Sequence, residues 1–184
     1  VPYSFAVGVS SIESDDLGPD DIVLNDWTAG ELGASEGDSV GLAYFVFDAQ
    51  NQLIERTHTF RLKQIIPIKG FAADRALMPD YPGLGDAETC GDWRPGIPID
   101  LDKIRSQDET YWDDYQGTPK AFISLSTAQE LWGNRYGHLT AQRYSQKNTS
   151  LSGLSRDLLI KLPPERMGLG FEPVLKSAIS ATAG

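Results

Sequence analysis

DIVLNDWTAGELGASEGDSVGLAYFVFDAQNQLIERTHTFRLKQIIPI, residues 21–68, is the stretch whose punctuation decides the fold. The apolar run Ile22-Val23-Leu24 ends in Asn25-Asp26, a favourable N-cap pair because a short side-chain oxygen accepts from the unpaired N–H groups of a helix start. One or two helical turns follow, with Ala29 and Leu32 three apart on one face and Gly33 as the natural stop. Glu36-Gly37-Asp38 then turns the chain into an apolar strand, Ser39 to Phe47. A polar turn, Asp48 to Gln52, returns it as a second strand, Leu53 to Leu62. On the first strand Val40, Leu42, Tyr44 and Val46 share one face and Ala43, Phe45 and Phe47 the other, which predicts a strand central to a sheet or covered on both faces. On the return strand Glu55, Thr57, Thr59 and Arg61 make one wet face, opposite Ile54, His58, Phe60 and Leu62.

Before this stretch, Val1 to Val9 reads as a strand and residues 10–20 as an acidic loop closed by Gly18-Pro19. After it, residues 69–118 change character. From Phe71 to Thr118 there are eleven Asp or Glu against four Lys or Arg, with several prolines and glycines. Ordinary loops end by about 12–15 residues, so this excursion is expected to carry local structure. A short helix is expected over Asp100 to Gln107, and Tyr81, Trp93, Tyr111, Trp112 and Tyr115 are its expected anchors to the domain.

A strand is expected at Pro119 to Leu125, followed by the capping-box pattern Ser126-Thr127-Ala128-Gln129 and a helix carrying Leu131 and Trp132. Further strands are expected at Leu139 to Tyr144 and Phe171 to Val174. A helix capped by Ser150 or Ser152 carries Leu151, Leu154, Leu158 and Leu162 and stops at Pro163-Pro164, and a small-residue helix is expected over Leu175 to Ala183. The expected fold is α+β in one domain, 1–184: an antiparallel hairpin-rich β lobe (1–68), the acidic Pro/Gly-rich excursion (69–118), and a smaller strand-helix-strand-helix lobe (119–184).

The chain has 184 residues, an apolar fraction of 40% and a net charge of −10 from sixteen basic and twenty-six acidic side chains. That charge argues against nucleic acid and against a basic membrane-docking face, both of which need clustered Lys and Arg. Cys90 is the only cysteine, so an intramolecular disulfide and a cysteine zinc cluster are both excluded. No run reaches the roughly 20 apolar residues of a membrane span. The chain opens inside a strand-like run without an initiator Met, which leads to the expectation of a fragment of something longer.

No catalytic constellation stands out, and no cofactor is expected. His58 falls on the apolar side of a strand, where a structural role is the simpler reading, and His138 follows Gly137 in an expected turn. HExxH and GxSxG spacings are missing. Gly83-Leu84-Gly85 and Gly168-Leu169-Gly170 lack the third glycine and the strand-turn-helix context of a dinucleotide site. The candidate metal ligands are Asp100, Asp102, Asp108 and Glu109, with Asp113 and Asp114 downstream, because calcium takes six to eight oxygens. The EF-hand spacing fails, and a solvated acidic face is the preferred reading. A carboxylate pair for glycoside hydrolysis has no specific spacing behind it. Asn148-Thr149-Ser150 matches a glycosylation sequon.

The phrase IVLNDWTAGELGASEGDSVGLAYFVFD followed by TFRLKQIIPI resembles the extracytoplasmic (periplasmic) domain of FtsX-like or MacB-like ABC transporter permeases. In that family a Leu-Gly pair, then Gly-Asp and a strand, precede a strand ending in an apolar segment. Leu32-Gly33, Gly37-Asp38 and Phe60 to Ile68 occupy those places. The blocks ADRALMPDYPGL, DWRPGIPIDLDKIR and GTPKAFISLSTAQELWGNRYG look like a branch with a larger ectodomain. The resemblance implies a non-enzymatic domain on the outer side of the bacterial inner membrane, between transmembrane helices of a membrane protein. It would couple ATP-driven movement to the handling of a substrate or partner. Its implied partners are those helices, a cytoplasmic ATPase subunit reached through the full-length protein, and a periplasmic partner protein. The alternative is a calcium- or carbohydrate-binding extracellular module, motivated by the carboxylates and aromatics of 71–118.

Overall fold

The computed structural model describes every residue except 13, 14, 79, 80, 86, 95, 136, 145, 146, 148, 163–167 and 169–184. Residues 1–141 and 142–184 are two compact units. The first holds a five-stranded mixed sheet with helices, an α+β fold.

In chain order the elements are β1 (Ala6–Val9), β2 (Asp21–Asn25), α1 (Asp26–Leu32), β3 (Ser39–Phe47), β4 (Leu53–Ile66), α2 (Ser106–Tyr115), β5 (Ala121–Ser124) and α3 (Leu125–Trp132). The sheet order is β1-β5-β2-β4-β3. Parallel pairs β1–β5 and β2–β4 alternate with antiparallel pairs β5–β2 and β4–β3. Local chemistry builds the first half. The Asn25 side chain caps α1 by accepting from the Thr28 N–H at 2.8 Å, and Gly33 closes the helix in the left-handed region at φ 61°. Asp48 Oδ1 accepts from the N–H groups of Gln50 and Gln52 at 2.9 and 2.8 Å, and Asn51 takes the left-handed position of the hairpin turn.

Core residues lie on both faces of the sheet. Ile22, Leu24, Phe60, Leu62, Ala121 and Ile123 pack on one side with Ala29 of α1 and Ala128 of α3. Val9, Val23, Ile66 and Phe122 pack on the other with Ile12 and Ala72 from the connecting loops. β2 and β5 are buried along their whole length, as strands covered on both faces must be.

Four expectations need correcting. The both-faced apolar strand β3 is an edge strand, last in the sheet order. Val40 and Leu42 pack toward the core, and Tyr44 meets Trp132 of α3 at 5.2 Å, but Gly41, Ala43 and Phe47 are exposed. The strand after the excursion does not begin a sheet of its own, because β5 sits between β1 and β2. Residues 100–107 form a 3-10 turn at Leu101–Lys103, and the true helix, α2, runs on to Tyr115. Residues 139–144 form no strand, since no described strand pairs with them. The expected elements at 171–174 and 175–183 lie outside the described residues.

In the second unit α4 (Leu151–Lys161) is capped by Ser150, whose Oγ accepts from the Gly153 N–H at 3.1 Å. Its leucine stripe is present by spacing, yet Leu151, Leu158 and Leu162 are exposed and Leu154 is half-buried. Among the described residues no helix is long and apolar enough to cross a membrane.

β1 lies so close to α3 that only glycine fits at position 8: a Cβ there would stand 2.4 Å from the Ala128 Cβ. Gly8→Ala is therefore expected to destabilise the chain by about 1–3 kcal/mol, an overpacking penalty read from urea unfolding. Gly8→Ala combined with Ala128→Gly should recover most of the loss.

Candidate functional site

The densest polar arrangement among the described residues joins the excursion to the sheet. It begins with Asn25, fully buried at the end of β2. While its Oδ1 caps α1, its Nδ2 donates to the Tyr111 hydroxyl at 3.0 Å and to the Pro119 carbonyl at 3.2 Å. The Tyr111 hydroxyl also lies 2.8 Å from Thr118 Oγ1. One amide thus holds α1, α2 and the approach to β5 together, with every group satisfied, as buried polar atoms require.

Beside it lies an ionic cluster. Arg105, just ahead of α2, grips Asp108 through Nε at 2.9 Å and Nη2 at 3.2 Å, and reaches Glu31 of α1 through Nη1 at 2.9 Å. Asp108 also accepts from the Arg105 backbone N–H at 3.0 Å, which starts the helix. Lys120 comes from the opposite side, with Nζ 3.8 Å from Asp108 Oδ1. Its ammonium stands over the Trp27 and Tyr111 rings at 4.5 and 4.4 Å from their centroids. Lys120 and Asp108 are 6% and 5% exposed, so this pair is effectively out of water.

The electrostatics follow from that burial. Desolvation pulls the Lys120 ammonium down to about 8 from its usual 10.5, with Asp108 pulling back the other way. Burial pushes the Asp108 carboxyl up, but hydrogen bonds from the Arg105 side chain and backbone, with the charges of Lys120 and Arg105, outweigh it and hold the group below its ordinary value. Cys90 lies next door: its N–H donates to Glu109 at 3.0 Å, its Sγ faces the Asp108 carbonyl, and burial together with Glu109 pushes the thiol up to about 12. A thiol so protonated is a poor nucleophile.

The four candidate metal ligands fall in different places. Asp100 accepts from the Asp102 N–H at 3.2 Å and pairs with Lys103 at 3.8 Å, capping its 3-10 turn. Asp108 is spent on Arg105 and Lys120, and Glu109 on the Cys90 backbone. Among the described residues no three or more His, Cys, Asp or Glu side chains gather as a metal site. His58 packs on Phe60 at 4.5 Å and lies 3.7 Å from Asp20, and His138 is exposed in a bend. Sequence reasoning placed Asp108 among four candidate metal ligands, with a solvated acidic face preferred, and missed Lys120. The available signal was a lysine leading into a strand that is otherwise apolar.

Asp108→Ala would leave the buried Lys120 ammonium without its carboxylate while Arg105 keeps Glu31, and unfolding in urea is expected to show a loss of about 3–5 kcal/mol. Lys120→Met should cost much less, because Asp108 keeps its two-pronged bond to Arg105. The Lys120 proton also sets a pH dependence. Its folded value near 8 lies below 10.5, so between those limits the unfolded chain holds a proton that the folded chain has released. Its contribution to stability should therefore rise with pH from about 8 to 10.5 and stay flat below. Nζ titration by NMR should find the value near 8, and Asp108→Asn should lower it further.

No family model, no curated protein and no solved structure matches the chain.

Proposed function

We infer that this chain is a non-catalytic extracytoplasmic domain of an FtsX-like or MacB-like ABC transporter permease, serving as a rigid body that passes ATP-driven movement to a substrate or partner outside the membrane. The observation that carries this reading is the Asn25–Asp108–Lys120 clasp. The long acidic excursion is fastened to the sheet by a buried amide, a buried ion pair and two aromatic faces. A domain that transmits displacement needs such internal stiffness, because a slack excursion would absorb the motion.

The punctuation behind the resemblance supports it. Gly33 and Gly37 both take positive φ, 61° and 96°. The Gly37 N–H donates to the Leu62 carbonyl at 2.7 Å, and the Leu62 N–H to the Asp38 carbonyl at 2.8 Å. The Gly-Asp pair therefore ties the entry to β3 onto β4, while the Leu-Gly pair ends α1 with a left-handed glycine.

The test is membrane topology of the full-length gene product. Apolar spans of about 20 residues are expected on either side of this domain. An alkaline phosphatase inserted at the Asp48–Gln52 turn is expected to be active, as an exported enzyme is. Soluble chain on both sides, or an inactive phosphatase from a stable fusion, would overturn the assignment.

A further inference from the structure

We propose that the free edge of β3 is a docking site for one extended peptide segment of a partner protein, apolar and small in its middle and carrying a Lys or Arg at the end that meets Glu55. This inference rests on the groove alone and holds whether or not the chain is a permease domain.

A groove of about 600 Å³ runs along this strand, within the size range of ligand sites. Val40, Gly41, Leu42 and Ala43 line it consecutively, with Phe45 beyond them. Successive residues of a strand point to opposite faces, so Val40 and Leu42 stand on one side and Ala43 and Phe45 on the other. The groove lining thus draws on both sides of β3, which has a second strand beside it on one edge only among the described residues.

β3 also lacks the usual protection of an edge. From Ser39 to Phe47 it carries no charged residue, no proline and no bulge in its pairing with β4, and it is nine residues long. The other edge strand, β1, is only four residues long.

The opposite bank is formed by residues 1–4 and by Pro98–Asp100 with Lys103. The six residues from Val40 to Phe45 match a peptide of about the same length, at roughly 3.3 Å per residue. Strand addition to an exposed edge supplies main-chain hydrogen bonds, while pockets beneath alternate side chains supply selectivity. Ile22 and Leu24 of β2 add apolar surface to the same groove.

Two polar details set the chemistry of the occupant. Thr28 lines the groove, is 4% exposed, and its Oγ1 has no hydrogen-bond partner among the described residues. A buried hydroxyl in that state is a position for a ligand's polar atom. The charges on the groove are largely spent, Lys103 on Asp100 and Lys120 on Asp108. Glu55, directly across from Phe45, has no ion pair among the described residues. With a chain charge of −10 around it, a cationic residue fits that end and an acidic one is repelled.

The test uses the whole 184-residue chain and synthetic heptapeptides alternating threonine and valine, ended by lysine or by glutamate, or N-methylated on alternate backbone nitrogens in either register. The lysine-ended peptide is expected to bind and to protect backbone amides within 40–45 from hydrogen exchange. N-methylation in one register should weaken binding about tenfold or more, the effect of losing main-chain hydrogen bonds. The glutamate-ended peptide should bind less well, and Glu55→Gln should narrow that difference. Ala43 is exposed, so Ala43→Lys should block the edge without shifting the thermal midpoint. Equal binding of both N-methylated registers would mean a plain apolar cavity and would overturn the proposal. So would failure of every peptide to protect β3 at about 1 mM. Protection of the same amides by self-association of the chain, without peptide, would make the occupant a second copy and would also overturn it.

Discussion

Asp108 sits between Arg105 and Lys120, and the arrangement of the excursion depends on that one carboxylate. A buried charge is tolerated only when its partners replace the water it has lost. Here the replacement comes from three directions: the guanidinium ahead of α2, the ammonium ahead of β5, and the backbone N–H that opens the helix. Arg105 extends the contact to Glu31 of α1, while Trp27 of α1 and Tyr111 of α2 cover the lysine. The cluster therefore fixes α1, α2 and β5 against one another. Apolar residues of the same shape could supply similar stability, but they would not demand the same partners. A single acceptor facing two specific cations selects one placement of a 48-residue segment over many similar collapsed ones.

The excursion also brings its own small core. Leu84, Cys90, Trp93 and Trp112 are buried together, with Trp93 and Trp112 edge to face at 5.0 Å. The Trp112 indole N–H donates to the Ala87 carbonyl at 3.3 Å. Short 3-10 turns, each tied by a side chain or a backbone bond, replace long helices between these anchors. Aromatic rings bury much area per residue, which lets a chain rich in Pro and Gly become ordered without regular periodicity.

What was legible in the sequence was local. The Asn25 cap, the Gly33 stop, the Asp48–Gln52 turn and both hairpin strands each follow from residues within a few positions of one another. The position of β3 was not legible. Apolar residues on both faces resemble double burial, while sheet order depends on which distant strand arrives beside β2. A short helix was expected over Asp100 to Gln107, just ahead of the real one, because the buried residues of α2 are Asp108, Tyr111 and Trp112, which leave no aliphatic stripe. The acidic count suggested a wet face, and the buried member of that population could be recognised only once Lys120 stood opposite it. The groove was invisible for the same reason: its banks are brought together from the chain's beginning, from β3 and from residues near 100.

The insertion of β5 between β1 and β2 bears on the order in which the molecule is made. β3 and β4 are joined by a short turn and can pair early, at little loop-closure entropy. Ala6, by contrast, pairs with Ala121, and Ile22 with Ile123, so one interior strand of the sheet is supplied by residues synthesised long after the two strands that flank it. Until they appear, β1 lacks the one strand that pairs with it among the described residues, and β2 is open on one side. Contacts of such sequence separation slow folding. The acidic excursion is thus also the tether that delivers the keystone strand, and its own anchoring decides when the sheet can close.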